Sequence, residues 1–449
     1  MTRIHQFPGG IHPHEGKNGK AVTKTLPITE LPQPTRVAIP LQQHIGAPCN
    51  SLVSKGDLVK VGMKIGEAVG NLSAAVHASV SGKVVSVTPC IQASGLEVNS
   101  VIIDNDFQDT WVPLTPVSDP EHLDAAALSE LAREMGLVGL GGAAFPHAVK
   151  LAPPSDKPVD TLILNGAECE PYLAADYRVM LAYAKEIVSG AKVIQRALGI
   201  ERVLIGIEND KMDAVAAMRD ACKDDPTFQV TALPVHYPQG GEKQLTYALT
   251  KRIVKSGGLP LDCGVVVVNV GSCYALHRAV YEGRPLVDRV VTVSGTVGKP
   301  ANYLVRIGTP VEWLLDTSEG LLPETKVLIY GGPMMGLPLS RQDIPVIKGC
   351  SGITALAKSS AQDEESNCIH CGRCSDVCPM KLIPSVLDKL MRKDMYEECE
   401  KQGVMNCLEC GACTWSCPAK RQLTQSCRAS KRVINQRRQE QENKAKEGM

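Results

Sequence analysis

The cysteines between positions 368 and 417 constrain this chain more than any other feature. They read Cys368-x-x-Cys371-x-x-Cys374-x-x-x-Cys378-Pro379 and then Cys407-x-x-Cys410-x-x-Cys413-x-x-x-Cys417-Pro418, one spacing written twice. Three cysteines at i, i+3 and i+6 on a tight loop offer three thiolates to three corners of one cubane. A fourth, followed by proline, turns the chain away toward a second cubane. The spacing therefore predicts two [4Fe–4S] clusters, one held by Cys368, Cys371, Cys374 and Cys417, the other by Cys407, Cys410, Cys413 and Cys378. Gly372, Gly411 and Ala412 let the backbone pass close to sulfide and aim N–H groups at it. Zinc knuckles also use C-x-x-C pairs, but zinc has no use for a third evenly spaced cysteine and a C-P.

Composition agrees with a reducing compartment. The chain has 17 cysteines, and those outside the two runs are scattered without the pairing of a disulfide framework. A formal net charge of zero and an aromatic content of 4% argue against a nucleic-acid partner. The first twenty residues are polar with no apolar h-region, and no run of eighteen apolar residues occurs. Neither a signal peptide nor a membrane span is expected, so any membrane role must come through partners. A chain of 449 residues should hold three or four domains.

Residues 1–30 read as an extended surface arm, because Phe7-Pro8-Gly9-Gly10 and His12-Pro13-His14 cannot hold a helix. The mixed spacing of His5, His12 and His14 favours a plain arm over a metal site. Residues 31–122 alternate short strands with turns, at 36–40, 54–60, 64–69, 75–79 and 83–87. The phrases 56–62 and 76–84 resemble the barrel-sandwich hybrid of biotinyl and lipoyl carriers. The hairpin tip near 70–75 has no lysine, so a structural β-domain is expected, not a swinging arm.

After a Pro-containing linker at 113–122 and a helix over 125–135 comes Gly136-Leu137-Val138-Gly139-Leu140-Gly141-Gly142-Ala143-Ala144-Phe145-Pro146. Glycine at this density suits an anion cradle or a plain turn. Strands at 161–164, 202–207, 230–233 and 265–270 then alternate with helices within 174–198 and at 211–222, 241–254 and 274–282. That rhythm predicts a doubly wound parallel sheet, with ligands at the C-terminal strand ends. Asn165, Glu168, Glu170, Glu242, Lys243 and Asn269 stand at those ends and favour the cradle. Strands at 289–294, 303–307 and 326–330 make a small β-rich unit. From 353 the chain reads as helical, with helices over 389–400 and 421–438 and a basic end. That end is read as a solvated helix, with docking of an acidic partner as the sharper alternative.

The 139–146 loop with Lys150 resembles the G-R-G-G-A-G-F-P…K loop of the flavin- and NADH-binding subunit of respiratory complex I. Asn165-Gly166-Ala167-Glu168-Cys169-Glu170-Pro171 is similar to that family's N-A-D-E-x-E-P. Tyr237-Pro238-Gln239-Gly240-Gly241-Glu242 is similar to its Y-x-x-G-E-E, and Val268-Asn269 to its V-N-N. Residues 288–345 resemble the β-grasp ligand-binding (SLBB) domain that follows there. The N-terminal Gly9-Gly10-Ile11-His12-Pro13-His14-Glu15-Gly16-Lys17, the barrel-sandwich domain and the tandem cysteine runs look instead like the C subunit of the Rnf complex, the membrane-bound ferredoxin:NAD+ oxidoreductase. That second resemblance covers the whole chain.

The resemblance implies a multidomain α/β chain. Its parts are an arm (1–30), a barrel-sandwich hybrid (31–122), a Rossmann-like FMN/NADH-binding domain (123–286), a β-grasp domain (287–345), a helical two-cluster ferredoxin domain (346–435) and a basic tail (436–449). It implies FMN held by Gly139, Gly141, Gly142, Lys150, Asn165, Glu168, Gly240, Glu242, Asn269 and Cys273, and NAD+ or NADH met by Phe145, Glu170 and Lys243. Leu140, Ala167, Gly241 and Val270 replace polar residues of the complex I motifs, each removing a polar contact. The function implied is electron transfer between reduced ferredoxin, the indirect donor, and NAD+. The chain would work with other Rnf membrane and iron–sulfur subunits, peripherally on the cytoplasmic face of the membrane. A flavin joins two-electron nicotinamide chemistry to one-electron clusters, so no side chain need act as a covalent nucleophile. Two alternatives differ in kind: a soluble reductase passing NADH electrons to a corrinoid or other acceptor, and a flavin-less electron-transfer scaffold whose β-grasp and barrel domains serve only to dock subunits.

Overall fold

The computed structural model describes residues 6–13, 19–358 and 364–447. His5 and the 14–17 part of the N-terminal motif lie outside them. Four units follow one another, as the sequence predicts, but their seams differ from expectation.

The barrel-sandwich unit pairs a four-stranded sheet (Arg36–Pro40, Glu97–Asn105, Gly82–Ile91, Leu58–Val59) with a three-stranded one (Asn50–Ser51, Lys64–Glu67, Val76–His77). The sequence reading lacks Glu97–Asn105, whose polar first half hides the buried Ser100–Ile103 stretch. Instead of swinging free, the hairpin tip is docked. Ala74 and Ala75 are fully buried, and the Ala75 N–H donates to Arg133 O at 3.0 Å at the end of helix Ala125–Glu134. This unit shares one continuous apolar core with the next, from Val37 and Ile39 through Leu162 and Val268. Such a shared core makes the pair one rigid support.

The second unit is a parallel sheet in the order Phe228–Leu233, Arg202–Glu208, Thr161–Gly166, Val265–Asn269. The run Val265–Val268 is buried on both faces, as a central parallel strand requires. Helices cover it, and the helix expected within 174–198 is present as two, Ala175–Ala182 and Ala184–Leu198, broken at Tyr183.

The third unit is a six-stranded sheet that reaches beyond the expected 287–345. It recruits Ile28–Glu30 from the N-terminal arm, parallel to Ala301–Arg306. It also recruits Gly352–Leu356, parallel to Asp288–Gly295, from a stretch read as the start of the helical domain. Both strands are short and lack clear alternation, so only the sheet edge they complete reveals them.

The arm is no free surface segment either. Phe7 and Ile11 are buried, Ile11 and Tyr237 exchange backbone hydrogen bonds at 2.9 Å, and the Gly10 N–H donates to Val377 O at 2.8 Å. The arm thus stitches the cluster unit to the flavin-like unit. In the cluster unit the expected 389–400 helix is two, Pro384–Met391 and Tyr396–Lys401. Asp394, at φ 54°, makes the turn between them. The last helix, Leu423–Glu447, runs to the end of the described chain.

Candidate functional site

Strand order locates the site. The chain leaves Thr161–Gly166 toward Arg202–Glu208 on one side and returns with Val265–Asn269 on the other. The crevice at this switch point therefore opens where Asn165 and Asn269 stand in register. Asn269 caps the helix Val270–Tyr281, its Oδ1 accepting from the Gly271 and Ser272 N–H groups at 2.8 and 3.3 Å. Its Nδ2 donates to Asp176 at 2.6 Å.

Ser272 hangs the glycine loop on this helix end. Its hydroxyl donates to Val138 O at 3.1 Å and accepts from the Leu140 N–H at 2.9 Å. The Gly139 N–H closes the loop on Phe145 O at 2.8 Å. Gly141 lies against Asn269, where a Cβ would stand 3.4 Å from Nδ2. Gly142 sits at φ +112°, and a Cβ there would meet nothing within 4 Å. Bare exposed backbone over a helix N-terminus at a switch point fits the phosphate-bearing FMN.

The other expected residues divide. Asn165 donates to Gly240 O at 2.8 Å, joining two loops at the crevice. Lys150 forms an ion pair with Glu242, donates to Val267 O at 3.0 Å and lies 5.9 Å from the Phe145 ring centroid. These three residues hold one another at the mouth. The Glu168 carboxylate is buried and taken by the first N–H groups of helix Ala175–Ala182, from Asp176 at 2.9 Å and Tyr177 at 3.3 Å. Burial pushes it up to about 7, with Asp176 adding to the rise and Lys20 opposing it.

Two further expected residues are engaged within the fold. Glu170, expected at the nicotinamide, accepts from the Met334 and Met335 N–H groups at 2.6 and 3.1 Å, tying the third unit to the second. Burial raises it to about 6. Cys273, expected at the flavin, is fully buried in the helix core, one residue out of phase with Ser272, which does reach the loop. Lys243 lies at the same helix start as Glu242, its ammonium donating to Lys255 O at 3.2 Å. Leu140, Ala167 and Val270, which depart from the complex I motifs, are buried apolar residues, not truncated contacts. Beneath the loop Arg289, which the sequence reading missed, donates to Leu140 O at 3.3 Å and to Lys348 O. Lys348, also missed, is buried and spans Ala75 O and Gly136 O, both at 2.7 Å. Burial lowers its ammonium to about 8.

The cysteine runs take equivalent backbone forms. Gly372 and Gly411 stand at φ +77° and +81°, and short helices follow at Arg373–Asp376 and Ala412–Trp415. Cys378, Cys407, Cys410 and Cys413 line one internal space, the four assigned to one cluster. Cys427 lines it too, a cysteine the spacing argument gave no role. Its thiol, beside Cys407, favours the thiolate form of that group. Backbone N–H groups of Leu382 and Glu409 donate to Cys378 and Cys407 sulfur, each at 3.3 Å, the contacts that tune a cluster's potential. Of the other four, Cys374 and Cys417 pack together beside Leu423, while Cys371 is exposed and Cys368 half-exposed on an irregular loop.

The two centres adjoin. The Tyr237 hydroxyl donates to Cys410 O at 2.7 Å, and Tyr237, Cys410, Ala412 and Ile11 share one apolar cluster with Cys169 and Met334 against it. Three residues on, Gly240 takes the bond from Asn165 and donates to Cys169 sulfur at 3.3 Å.

Family profiles match along the chain. Residues 5–108 match the RnfC barrel sandwich hybrid domain, 132–278 the Nuo51 FMN-binding domain, 290–338 the SLBB domain and 360–418 the 4Fe-4S dicluster domain. The chain is 46% identical over 402 residues to the C subunit of the proton-translocating ferredoxin:NAD(+) oxidoreductase complex of Clostridium ljungdahlii, covering 89% of this chain and 87% of that one. It is 46% identical over 436 residues to the C subunit of the Na(+)-translocating ferredoxin:NAD(+) oxidoreductase complex of Acetobacterium woodii, covering 96% and 98%. With the C subunit of the ion-translocating oxidoreductase complex of Rhodobacter capsulatus it shares 42% over 434 residues, covering 96% and 83%.

Proposed function

The chain belongs to the C-subunit family of ion-translocating ferredoxin:NAD(+) oxidoreductase (Rnf) complexes, and from that premise we infer that its switch-point crevice is the NAD(H) port of such a complex. It is an oxidoreductase subunit that carries FMN and two [4Fe–4S] clusters, has NAD(H) as substrate and works with the other Rnf subunits. Among the described residues no helix is long and apolar enough to cross a membrane. A peripheral position on the cytoplasmic face, held by partner subunits, accords with that.

The chemistry that bound FMN would supply here is the link between two-electron hydride exchange with nicotinamide and one-electron exchange with clusters. The chain's own work is placement. Gly139, Gly141 and Gly142 present backbone to the phosphate end, and Asn269 and Ser272 fix that loop to a helix N-terminus. Lys150, Glu242 and Phe145 shape the mouth through which nicotinamide approaches, with Lys243 beside them. Asn165 and Gly240 hold the floor. Cys378, Cys407, Cys410 and Cys413 hold the inner cluster; Cys368, Cys371, Cys374 and Cys417 hold the outer one.

The observation that carries this reading is the Tyr237–Gly240 segment, which touches an inner-cluster cysteine at one end and the cradle at the other. An anaerobic NADH titration of the loaded chain tests it. Bleaching of the flavin band near stoichiometric NADH is expected. Reduction by dithionite but never by NADH would move the nicotinamide site to another subunit. The corrinoid-reductase alternative has no observation in its favour.

A further inference from the structure

We propose that the last helix tunes the inner cluster: Thr424 donates a hydrogen bond to the Cys413 sulfur and Cys427 one to the Cys407 sulfur, and together they raise its reduction potential. The inference rests on the assignment of Cys378, Cys407, Cys410 and Cys413 to that cluster and adds two positioning residues that are not ligands.

Thr424 and Cys427 stand three positions apart at the start of helix Leu423–Glu447, so they share one face. Both line the internal space that the four assigned cysteines surround. Both are buried, so water does not compete for the protons they donate. The Thr424 hydroxyl lies 3.4 Å from Cys413 sulfur. It accepts from the Thr414 hydroxyl at 2.9 Å, which leaves its own proton for the sulfur. The Cys427 thiol is hydrogen-bonded to Cys407. A cysteine that ligates iron is a thiolate, and a thiolate only accepts. Iron therefore sets the direction of both bonds, from the helix to the ligand.

The fold pins this face in register. One turn on, Lys431 donates to Cys407 O at 3.0 Å and to Glu409 at 2.6 Å, while Arg428 meets Glu409 at 2.9 Å. Buried thiols elsewhere donate to backbone, Cys222 to Met218 O at 3.1 Å and Cys399 to Leu387 O at 3.7 Å. Cys427 instead meets a ligand. The first run has no such donor in the matching place. Asp388 stands as far beyond Cys368 as Cys427 does beyond Cys407. Its carboxylate accepts from Ser426, Arg392 and Arg421 and has no proton to give a sulfur. Hydrogen bonds to sulfur stabilise the added negative charge of a reduced cluster. Thr424 and Cys427 thus make the inner cluster a better electron acceptor than its ligands alone would.

The test uses the full chain with both clusters loaded and replaces each donor by an apolar residue of similar size, Thr424→Val and Cys427→Val. Anaerobic redox titration followed by electron paramagnetic resonance reads both cluster potentials, and iron analysis reads occupancy. The expected result is full iron, with one potential unmoved and the other more negative. At a fixed potential the reduced-to-oxidised ratio of that cluster falls about threefold in each variant. It falls about tenfold in the double variant, roughly 59 mV for one electron. Thr424→Ser and Cys427→Ser keep a donor and should hold the ratio within about 1.5-fold of the parent. Potentials unmoved by Val, or moved equally by Val and Ser, would overturn the proposal, the second outcome marking packing and not donation. Should Cys427→Val fail to fold or to load, Cys427→Ala is read by the same comparison with Ser. Loss of half the iron in Cys427→Ala, with all of it kept in Cys378→Ser, would make Cys427 a ligand in place of Cys378. That result alone would sink the cluster assignment together with the proposal.

Discussion

The two cysteine runs are alike in sequence and in backbone, and unlike in everything that surrounds them. His370 and Glu409, in equivalent places, have φ of 54° and 58°; Lys381 and Lys420 have 55° and 57°. Yet a Cβ on Gly372 would meet nothing within 4 Å, whereas one on Gly411 would stand 2.8 Å from Met334 O. Ile369 is 66% exposed; its counterpart Leu408 packs against the cluster that Ile11, Tyr237, Cys410 and Ala412 form. The spacing fixes the loop that can hold a cubane. What the rest of the chain packs against that loop decides whether it faces a partner or the flavin crevice.

The largest expected effect of this asymmetry is on iron. Under oxygen or a chelator the outer cluster, with Cys371 exposed and Cys368 half-exposed, should be lost first. Half the iron should leave in a fast phase, and the spectrum of one remaining cluster should persist with FMN still bound. Iron content against time checks it; a single phase releasing all the iron would erase the distinction between the two sites.

Next come the paired glycines. Gly411→Ala meets both a left-handed backbone and the Met334 carbonyl. It should destabilise by about 3 kcal/mol or more and empty the inner cluster. Gly372→Ala has the backbone strain alone and should lose about 1 kcal/mol. Thermal unfolding and iron content of the two variants decide; equal losses would mean the seam against Met334 carries no weight. Tyr237→Phe probes that seam more gently. It removes a buried hydroxyl bonded to Cys410 O and should destabilise by about 1–2 kcal/mol. Trp415→Ala on the exposed side should stay within about 0.5 kcal/mol. Urea unfolding of both variants compares them.

What the sequence made legible follows the same division. Local constraints were readable: ligand spacing, the glycine loop, the strand–helix alternation that makes Asn165 and Asn269 neighbours. Residues whose role comes from a distant partner were not. Glu170 stands in a flavin-like motif, yet its carboxylate is spent on the Met334 and Met335 N–H groups. Cys273 lies one helical step from Ser272, and only the rotation of that helix shows which of the two reaches the loop. Arg289 and Lys348 carry no local signature, because the carbonyls they meet lie in other units. Ile28–Glu30 and Gly352–Leu356 are too short to announce themselves without the sheet they border.

The smallest effect comes from one of the charges that differ between the runs. His370 faces solvent, but Glu409, in the same place, accepts from Arg428 at 2.9 Å and Lys431 at 2.6 Å on the last helix. Burial alone would raise this carboxyl; Lys431 and Arg428 outweigh it and hold it below its ordinary 4.5. A carboxyl held low in the folded state contributes stability above its unfolded value, lost as pH falls through the folded one. Glu409→Gln should therefore lower stability by about 1 kcal/mol at pH 7, the scale of a partly exposed pair. That deficit should hold down to about pH 5 and shrink as the pH falls below 4.5. His370→Gln should change nothing measurable across the same range. The difference in urea midpoint between each variant and the parent, followed against pH, reads it. A deficit at Glu409 that persists undiminished below its ordinary value would mean that the carboxylate acts there through shape and hydrogen bonding, not charge.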